Sequence, residues 1–71
     1  MKSEKIIIKI TSKKIEKFVF DIIKDFKLSS DKSDYKINEK TFELYNTNQY
    51  NFTDIRNEIF REKIDYEELW L

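Results

Sequence analysis

A β-strand is predicted over residues 5–11, where β-branched side chains alternate with polar ones. Ile6, Ile8 and Ile10 share one face of this strand, and we expect that face to be buried. The opposite face is polar apart from Ile7. This single apolar side chain indicates either a binding face or a second buried layer.

Helical periodicity follows the strand. Apolar residues recur at i, i+3, i+4, i+7, i+8 and i+11, which predicts a helix over residues 13–27 with Thr11 or Ser12 as its N-cap. The members of this apolar stripe are Ile15, Phe18, Val19, Ile22, Ile23 and Phe26. The polar residues 29–34 that come next are predicted to form a loop.

A β-hairpin with Glu39 and Lys40 as its turn is predicted next, because this register places apolar residues opposite each other and charge opposite counter-charge. The opposed pairs are Tyr35 with Leu44, Lys36 with Glu43, Ile37 with Phe42 and Asn38 with Thr41. Two-residue turns favour Asn-Gly or similar residues with positive φ, so a longer loop centred on Asn38 is the alternative.

A second helix is predicted over residues 53–63, with Thr53 as its N-cap. Ile55 and Ile59 are expected to face inward, and Phe60 is assigned to the same face.

The last segment, residues 64–71, has two interpretations. Asp65 and Glu68 have the spacing of a capping box, which would start a further helical turn. Alternatively, residues 66–71 form a short closing strand.

These elements predict a single α+β domain over residues 1–71, because 71 residues suffice for one domain only. The order is β-α-β-β-α, in two layers, followed by the ambiguous segment. A strand there would complete the ferredoxin-like order β-α-β-β-α-β at minimal length. A helical turn would leave a three-stranded sheet with helices on one face.

Composition excludes most catalytic chemistry. The chain has no His, Cys or Gly, which excludes histidine-dependent hydrolases, thiolate or histidine metal sites and glycine-rich phosphate loops. Two helical carboxylates such as Asp54 and Glu58 make only a weak cation site. We therefore expect no enzyme activity, no cofactor and no bound metal.

The residue types that are absent also indicate the genetic background. Ala, Gly and Pro are missing and Arg occurs twice, whereas there are 11 Ile, 12 Lys and 6 Phe residues. This bias is typical of an AT-rich genome, such as that of a low-GC bacterium or one of its phages or plasmids. Asn is then the expected substitute for Gly at positions of positive φ. No targeting segment or membrane-spanning run is recognisable, so a cytoplasmic location is expected.

A net charge of zero conceals a segregation of charge along the chain. Residues 1–40 contain 11 lysines and seven acidic residues, a net charge of +4, whereas residues 41–71 contain three basic and seven acidic residues, a net charge of −4. Nucleic-acid-binding proteins usually carry excess positive charge, which this chain lacks. We therefore expect a protein partner, with no membrane association.

The first helix nevertheless carries a basic stripe. At 100° per residue, Lys13, Lys17 and Lys24 lie opposite the apolar stripe, and Phe20 lies at the edge of their sector. Lysines beside an exposed aromatic ring form either a solvated surface or an alternative nucleic-acid-binding site.

The second helix carries the opposite charge. Asp54, Glu58 and Glu62 recur at intervals of four residues, and Asp65 extends the row if the helix continues. The row is either a solubilising surface or a mimic of the phosphate backbone that enters a basic groove. The predicted partner-binding residues are Asp54, Glu58, Glu62, Asp65, Glu67, Glu68, Tyr66 and Trp70.

An apolar tail follows these acidic residues. Leu69, Trp70 and Leu71 either pack on the core of the same chain or form part of an interface, in which Trp is a frequent hot-spot residue. Ile7 and Tyr45 are assigned to the same patch if it is an interface. A homodimer through the first or last strand and this tail is a further possibility.

The function predicted from these observations is that of a small non-enzymatic protein-binding module. In an AT-rich phage or mobile element, such a module is expected to inhibit a host defence or nucleic-acid-processing protein, as anti-CRISPR or anti-restriction proteins do. Its acidic helix face and aromatic tail are the predicted contact surface.

Overall fold

Six elements follow one another in the computed structural model, which describes residues 3–47 and 49–70. They are β1 (Ser3–Lys9), α1 (Lys13–Asp25), β2 (Tyr35–Ile37), β3 (Thr41–Tyr45), α2 (Phe52–Arg61) and β4 (Glu67–Trp70). The strands form one antiparallel sheet in the order β2-β3-β1-β4. The predicted α+β class is therefore confirmed.

The sheet buries one face, and β1 lies at its centre. Ile6 and Ile8 of β1 are opposite Leu44 and Phe42 of β3, and all four side chains are buried. Both helices contribute to the same core on this face. Their buried members are Val19 and Ile22 from α1 and Phe52, Ile55 and Ile59 from α2. The burial predicted for Ile6 and Ile8 is confirmed. The predicted bounds of the strand, residues 5–11, are wrong by two residues at each end, and Ile10 follows β1 and is only partly buried.

The start of α1 is fixed by a serine side chain. The Ser12 hydroxyl accepts a hydrogen bond from the Ile15 N–H group at 3.3 Å. Of the two predicted N-caps, Ser12 is therefore correct and Thr11 is wrong. The helix ends at Asp25, two residues earlier than predicted.

The chain leaves both helices in the same way, through a lysine in the left-handed region two residues after the last helical residue. The φ angle is 53° at Lys27 and 55° at Lys63. The next N–H group bonds back across the last turn in each case, from Leu28 to the Ile23 carbonyl and from Ile64 to the Ile59 carbonyl. Burial of the following side chain stabilises each helix end more than these hydrogen bonds do, because Leu28 and Ile64 both enter the core.

The expectation that Asn takes the positions of positive φ is wrong for the described residues. Those positions belong to Lys27, Ser33 and Lys63. At the two helix ends, burial of the following apolar residue offsets the cost of about 1–2 kcal/mol that a Cβ atom adds in this conformation.

The hairpin register is confirmed at each pair within the strands, from Tyr35 with Leu44 to Ile37 with Phe42. The turn has two residues, so the longer loop is wrong: the Asn38 N–H group donates to the Thr41 carbonyl at 3.0 Å. The Asn38 side-chain oxygen also accepts from the N–H groups of Lys40, at 2.8 Å, and Thr41, at 2.9 Å. These bonds replace the positive-φ residues that such a turn normally needs.

The start of α2 differs from the prediction. Asn51, rather than Thr53, is the N-cap, and its side-chain oxygen accepts from the Asp54 N–H group at 3.2 Å. The helix begins earlier because Phe52 lies in its first turn and packs into the core. Ile55 and Ile59 are buried as predicted.

The last segment is a strand. β4 pairs antiparallel with β1, with Glu67 opposite Ile7 and Leu69 opposite Lys5. The helical-turn interpretation is wrong, because the left-handed residue Lys63 ends the helical path before Asp65. Leu71 of the predicted strand and tail lies outside the described residues. None of the helices described is long and apolar enough to span a membrane.

Candidate interaction surface at the edge of β4

The two flanks of α2 carry different chemistry. On a helical wheel with 100° per residue, Ile55 and Ile59 mark the buried side of α2, and Arg56 and Phe60 lie about 100° from it in one direction. The acidic row, formed by Asp54, Glu58 and Glu62, lies about 80° from it in the other direction. Contacts with β4 show that the flank of Arg56 and Phe60 faces the edge of the sheet.

Arg56 connects α2 to β4. Its Nε and Nη2 atoms donate to the two carboxylate oxygens of Glu68 at 3.1 and 2.8 Å. The side chains are 22% and 9% exposed, respectively, so this is a largely buried, bidentate ion pair. The guanidinium carbon also lies 5.5 Å from the centre of the Phe52 ring and 5.8 Å from that of Trp70. The positive charge of Arg56 is therefore paired within the chain. The guanidinium also lies against the Trp70 ring and holds it beside α2.

Three aromatic side chains line this side of the sheet. Phe60 and Tyr66 pack edge to face with their ring centres 5.7 Å apart. Phe60 is 59% exposed and Trp70 is 52% exposed. We call the surface formed by Phe60, Tyr66 and Trp70 the aromatic edge. The prediction that Phe60 faces inward is wrong, because its position on the flank of α2 directs it to Tyr66.

Among the described strands, β4 lies at one end of the sheet, next to β1. The Ile10 N–H group bonds to the Lys40 carbonyl, so the even-numbered residues of β1 direct their backbone groups toward β3. The odd-numbered residues of β1 then bond to β4, through Glu67 and Leu69. By the same alternation, the backbone groups of Glu68 point away from β1, and a register shift between Ser3 and Lys5 interrupts the regular pairing beside Trp70.

The acidic row consists of Asp54, Glu58 and Glu62, because α2 does not continue to Asp65. Asp54, Glu58 and Glu62 lie on the flank of α2 away from β4, and Glu58 is paired with Arg61 at 2.6 Å. Asp65 is exposed but not helical, so it does not extend the row. Of the predicted partner-binding residues, Glu62, Asp65, Tyr66 and Glu67 line one cleft, whereas Glu68 and Trp70 contact Arg56.

The remaining members of that set are separated by the pleat of β4. Glu68 and Trp70 lie on the side of Arg56, whereas Glu67 lies on the uncovered face opposite Ile7. Tyr66 precedes the strand and contacts Phe60.

The basic stripe of α1 is placed as predicted. Lys13, Lys17 and Lys24 are exposed, and Phe20 is 54% exposed among them. Lys17 is 3.2 Å from Asp21, one turn away, which reduces the local positive charge.

The uncovered face of the sheet alternates charged and apolar positions. Lys5 lies between Leu69 and Tyr45, its neighbours on the adjacent strands. Its Nζ atom is 2.8 Å from Glu43 and 5.9 Å from the centre of the Tyr45 ring. Ile7 and Tyr45 are half-buried here, so this face combines apolar area with internally paired charge.

A cleft of about 640 Å³ opens where β1 extends beyond β4. Its charged lining residues are Lys9, Lys14, Lys63, Glu62, Asp65 and Glu67. Three cations balance three carboxylates, so the cleft favours neither sign of ligand charge. Within the described ranges, no three His, Cys, Asp or Glu side chains are grouped as a metal site.

Asp34 is a buried acid that the sequence did not reveal. Its carboxylate accepts from the Ser29 N–H group at 2.9 Å and the Thr47 hydroxyl at 3.2 Å. The pKa of Tyr50 is raised by burial and, secondarily, by the charge of Asp34. These contacts connect the loop that precedes β2 to the loop that follows β3, so Asp34 is a structural residue. An Asp in a polar loop gives no sequence signal that separates it from its exposed neighbours.

No protein-family model matches the chain, and neither the curated proteins nor the solved structures contain a match.

Proposed function

We propose that this chain is a small non-enzymatic protein-binding module whose docking surface is the aromatic edge. The observation that carries the proposal is the exposure of Phe60 and Trp70 beside β4, at one end of the described sheet. Large aromatic side chains are the residues most often responsible for binding energy at protein interfaces.

Both exposed rings contact other side chains of the same chain. Trp70 lies against Arg56, and Phe60 lies against Tyr66. Less side-chain entropy is therefore lost when a partner covers them. A ring that is held in place but half exposed is typical of a preorganised contact.

The acidic row is a second contact surface in this proposal. Because it lies on the other flank of α2, it would contact a different part of the partner from the aromatic edge. Its carboxylates suit a basic groove, and their role would be electrostatic steering and orientation. An inhibitor of a host nucleic-acid-processing protein, of anti-CRISPR or anti-restriction type, is the specific class that we propose for the AT-rich background.

The fold that we propose for this module is a minimal ferredoxin-like arrangement. The element order β-α-β-β-α-β and the sheet order β2-β3-β1-β4 support it.

Capture from a low-GC bacterial lysate tests the docking surface. The immobilised protein is compared with a Phe60→Lys/Trp70→Lys variant and with Phe20→Lys, whose ring is equally exposed but lies on α1. We expect the double variant to capture at least tenfold less lysate protein than the unmodified chain, and the α1 variant to capture the same amount. Circular dichroism checks that all three proteins are folded. Equal capture by all three would show that the aromatic edge is not the docking surface.

A separate variant tests the acidic row. Lys substitutions at Asp54, Glu58 and Glu62 should weaken binding of the captured partner and reduce its dependence on salt. Unchanged binding and unchanged salt dependence would remove the acidic row from the proposal.

A nucleic-acid-binding module is the second candidate, and the exposure of Phe20 among lysines favours it. Phosphate contacts are strongest at low salt, so a mobility-shift titration at about 50 mM salt is the sensitive test. Binding that Lys17→Glu and Phe20→Ala weaken would support this candidate. The absence of binding under these conditions would exclude it.

A further inference from the structure

We propose that the end of the sheet opposite the aromatic edge is a peptide-docking site, where an extended segment of a protein partner pairs antiparallel with β2. The segment carries an acidic residue between two apolar ones. In the described sheet, β2 is the end strand and pairs with β3. The peptide becomes the next strand, in the mode of strand addition. This site is separate from the aromatic edge and does not depend on the proposed function.

The backbone of β2 directs two residues away from β3. The Asp34 carbonyl accepts from an N–H group of β3 at 2.9 Å, and the Asn38 N–H group donates to a carbonyl of β3 at 3.0 Å. The register between these two bonds is regular. Because inward and outward residues alternate along an antiparallel strand, the N–H and C=O groups of Tyr35 and Ile37 point outward from the described sheet.

A groove of about 640 Å³ lies beside these outward groups. It is lined by Ser30, Ser33, Tyr35, Lys36, Ile37 and Tyr45. Ile37 is 37% exposed, and the Tyr35 ring packs against that of Phe42 with the ring centres 5.7 Å apart. Tyr35 and Ile37 therefore offer apolar surface on the helix-covered side of the sheet, where alternate side chains of an added strand would lie.

The charge at the centre of this strand is positive and available. Lys36 is exposed and lies opposite Glu43 in the register. The Glu43 carboxylate, however, is 2.8 Å from the Nζ atom of Lys5, on the other side of β3. Lys36 belongs to none of the ion pairs of the described residues. Its ammonium group can therefore pair with a carboxylate of a partner.

The chemistry of this groove identifies its occupant. A peptide backbone supplies donors and acceptors at the spacing of Tyr35 and Ile37. A nucleic-acid strand would need several cations, and among the described lining residues only Lys36 is charged. A lysine at the centre of an edge strand disfavours pairing with strands that cannot neutralise it. The acidic residue opposite Lys36 is therefore the specificity determinant, and the apolar residues beside it face Tyr35 and Ile37.

The small size of the contact predicts weak binding. An antiparallel strand exchanges four hydrogen bonds with Tyr35 and Ile37, and one ion pair forms at Lys36. We expect a dissociation constant of about 0.1–1 mM for an isolated peptide, because the main-chain bonds supply most of the affinity and ordering of the peptide opposes it.

A titration with a synthetic peptide, followed through the amide NMR signals of the full chain, tests the site. The probe is acetyl-Lys-Thr-Val-Glu-Val-Thr-Lys-amide, whose Glu is designed to lie opposite Lys36. We expect the largest signal shifts at Tyr35 and Ile37. The absence of shifts at about 5 mM peptide, or shifts centred on another element, would overturn the proposal.

Methylation of the peptide nitrogens tests the strand pairing itself. A methyl group on either Val nitrogen removes a donor directed at β2, whereas one on the Glu nitrogen points away from it. We expect each Val methylation to weaken binding about tenfold and the Glu methylation to leave it unchanged. Equal effects at all three positions would overturn strand addition.

An exchange of charge tests the role of Lys36. Lys36→Glu should weaken binding of the probe about fivefold and strengthen, by a similar factor, binding of the same peptide with Lys in place of Glu. Lys13→Glu makes the same change of charge on α1 and should alter neither. Equal effects of the two variants would overturn the specificity assigned to Lys36. Circular dichroism checks that both variants are folded.

The free protein provides the last control. Concentration-dependent shifts of Tyr35 and Ile37 below about 1 mM would show that a second copy occupies this edge, and would overturn the peptide as its occupant. Phe60→Lys/Trp70→Lys changes the other end of the sheet and should leave binding of the probe unchanged. Failure of the peptide site would therefore leave the aromatic edge untouched, and the reverse also holds.

Discussion

The ion pair between Arg56 and Glu68 should contribute more to stability than any other ion pair described in the chain. It is bidentate, with distances of 3.1 and 2.8 Å, and the Glu68 side chain is 9% exposed. Replacement of Arg56 by Met removes the guanidinium, and with it the contacts to the Phe52 and Trp70 rings, but keeps an unbranched apolar side chain.

The expected cost follows from the burial of the carboxylate. Exposed pairs contribute about 0.2–1 kcal/mol, whereas removal of one partner from a buried pair costs about 3–5 kcal/mol. With 22% of Arg56 in contact with solvent, Arg56→Met should lower the free energy of unfolding by about 2–3 kcal/mol. Glu68→Gln should cost less, because the more exposed Arg56 retains solvent and two rings as neighbours.

A double-mutant cycle measured by urea unfolding isolates the pair. We expect a coupling energy of about 1.5–2.5 kcal/mol for Arg56 with Glu68. Arg61 and Glu58 are the control, since they lie on the same helix at 2.6 Å but are 68% and 35% exposed. Their coupling should be about 0.3–0.5 kcal/mol.

The comparison separates burial from distance, because the control pair is the shorter of the two. Equal coupling energies in the two cycles would refute the argument that burial of Glu68 sets the strength of its ion pair. A larger cost for Glu68→Gln than for Arg56→Met would refute the expected asymmetry.

Three further predictions concern the fold. Asp34→Ala should cost about 3 kcal/mol in urea unfolding, because two donors lose a buried carboxylate acceptor. The pKa of Tyr50 is raised in the folded chain, so the unfolded chain releases the phenol proton at lower pH. The free energy of unfolding should therefore fall above about pH 10. Tyr50→Phe should make this fall less steep when unfolding is measured from about pH 9 to about pH 11.5. Lys27→Gly should raise the free energy of unfolding by about 1 kcal/mol, because φ is 53° there, whereas Lys24→Gly inside α1 should lower it by a similar amount.

Local patterns were sufficient for the hairpin and for most of both helices. The hairpin register was predictable because a shift by one residue would place Phe42 and Leu44 on the wrong face and would separate Lys36 from Glu43. The N-cap of α2 was not predictable in this way. Asn51 and Thr53 are both good caps, and the choice depends on whether Phe52 can reach the core.

The candidate site was predictable in part. Trp70 and Tyr66 were identified from the sequence, but Phe60 was assigned to the inward face and is 59% exposed. The flank of α2 that faces β4 depends on where the last strand pairs, and pairing with the central strand β1 is a long-range property. The same is true of Glu68, whose engagement by Arg56 distinguishes it from Glu67 only after β4 is in place.

The separation of charge along the sequence becomes a separation of surfaces on α2. The flank with Arg56 and Phe60 faces β4, whereas Asp54 and Glu58 lie on the other flank. In the proposed function, the aromatic edge and the acidic row would therefore contact different parts of one partner, and they should respond to different substitutions. Lys at Phe60 should weaken binding at every salt concentration, because it removes an apolar contact from the interface. Charge reversal at Asp54 should mainly reduce the dependence of binding on salt.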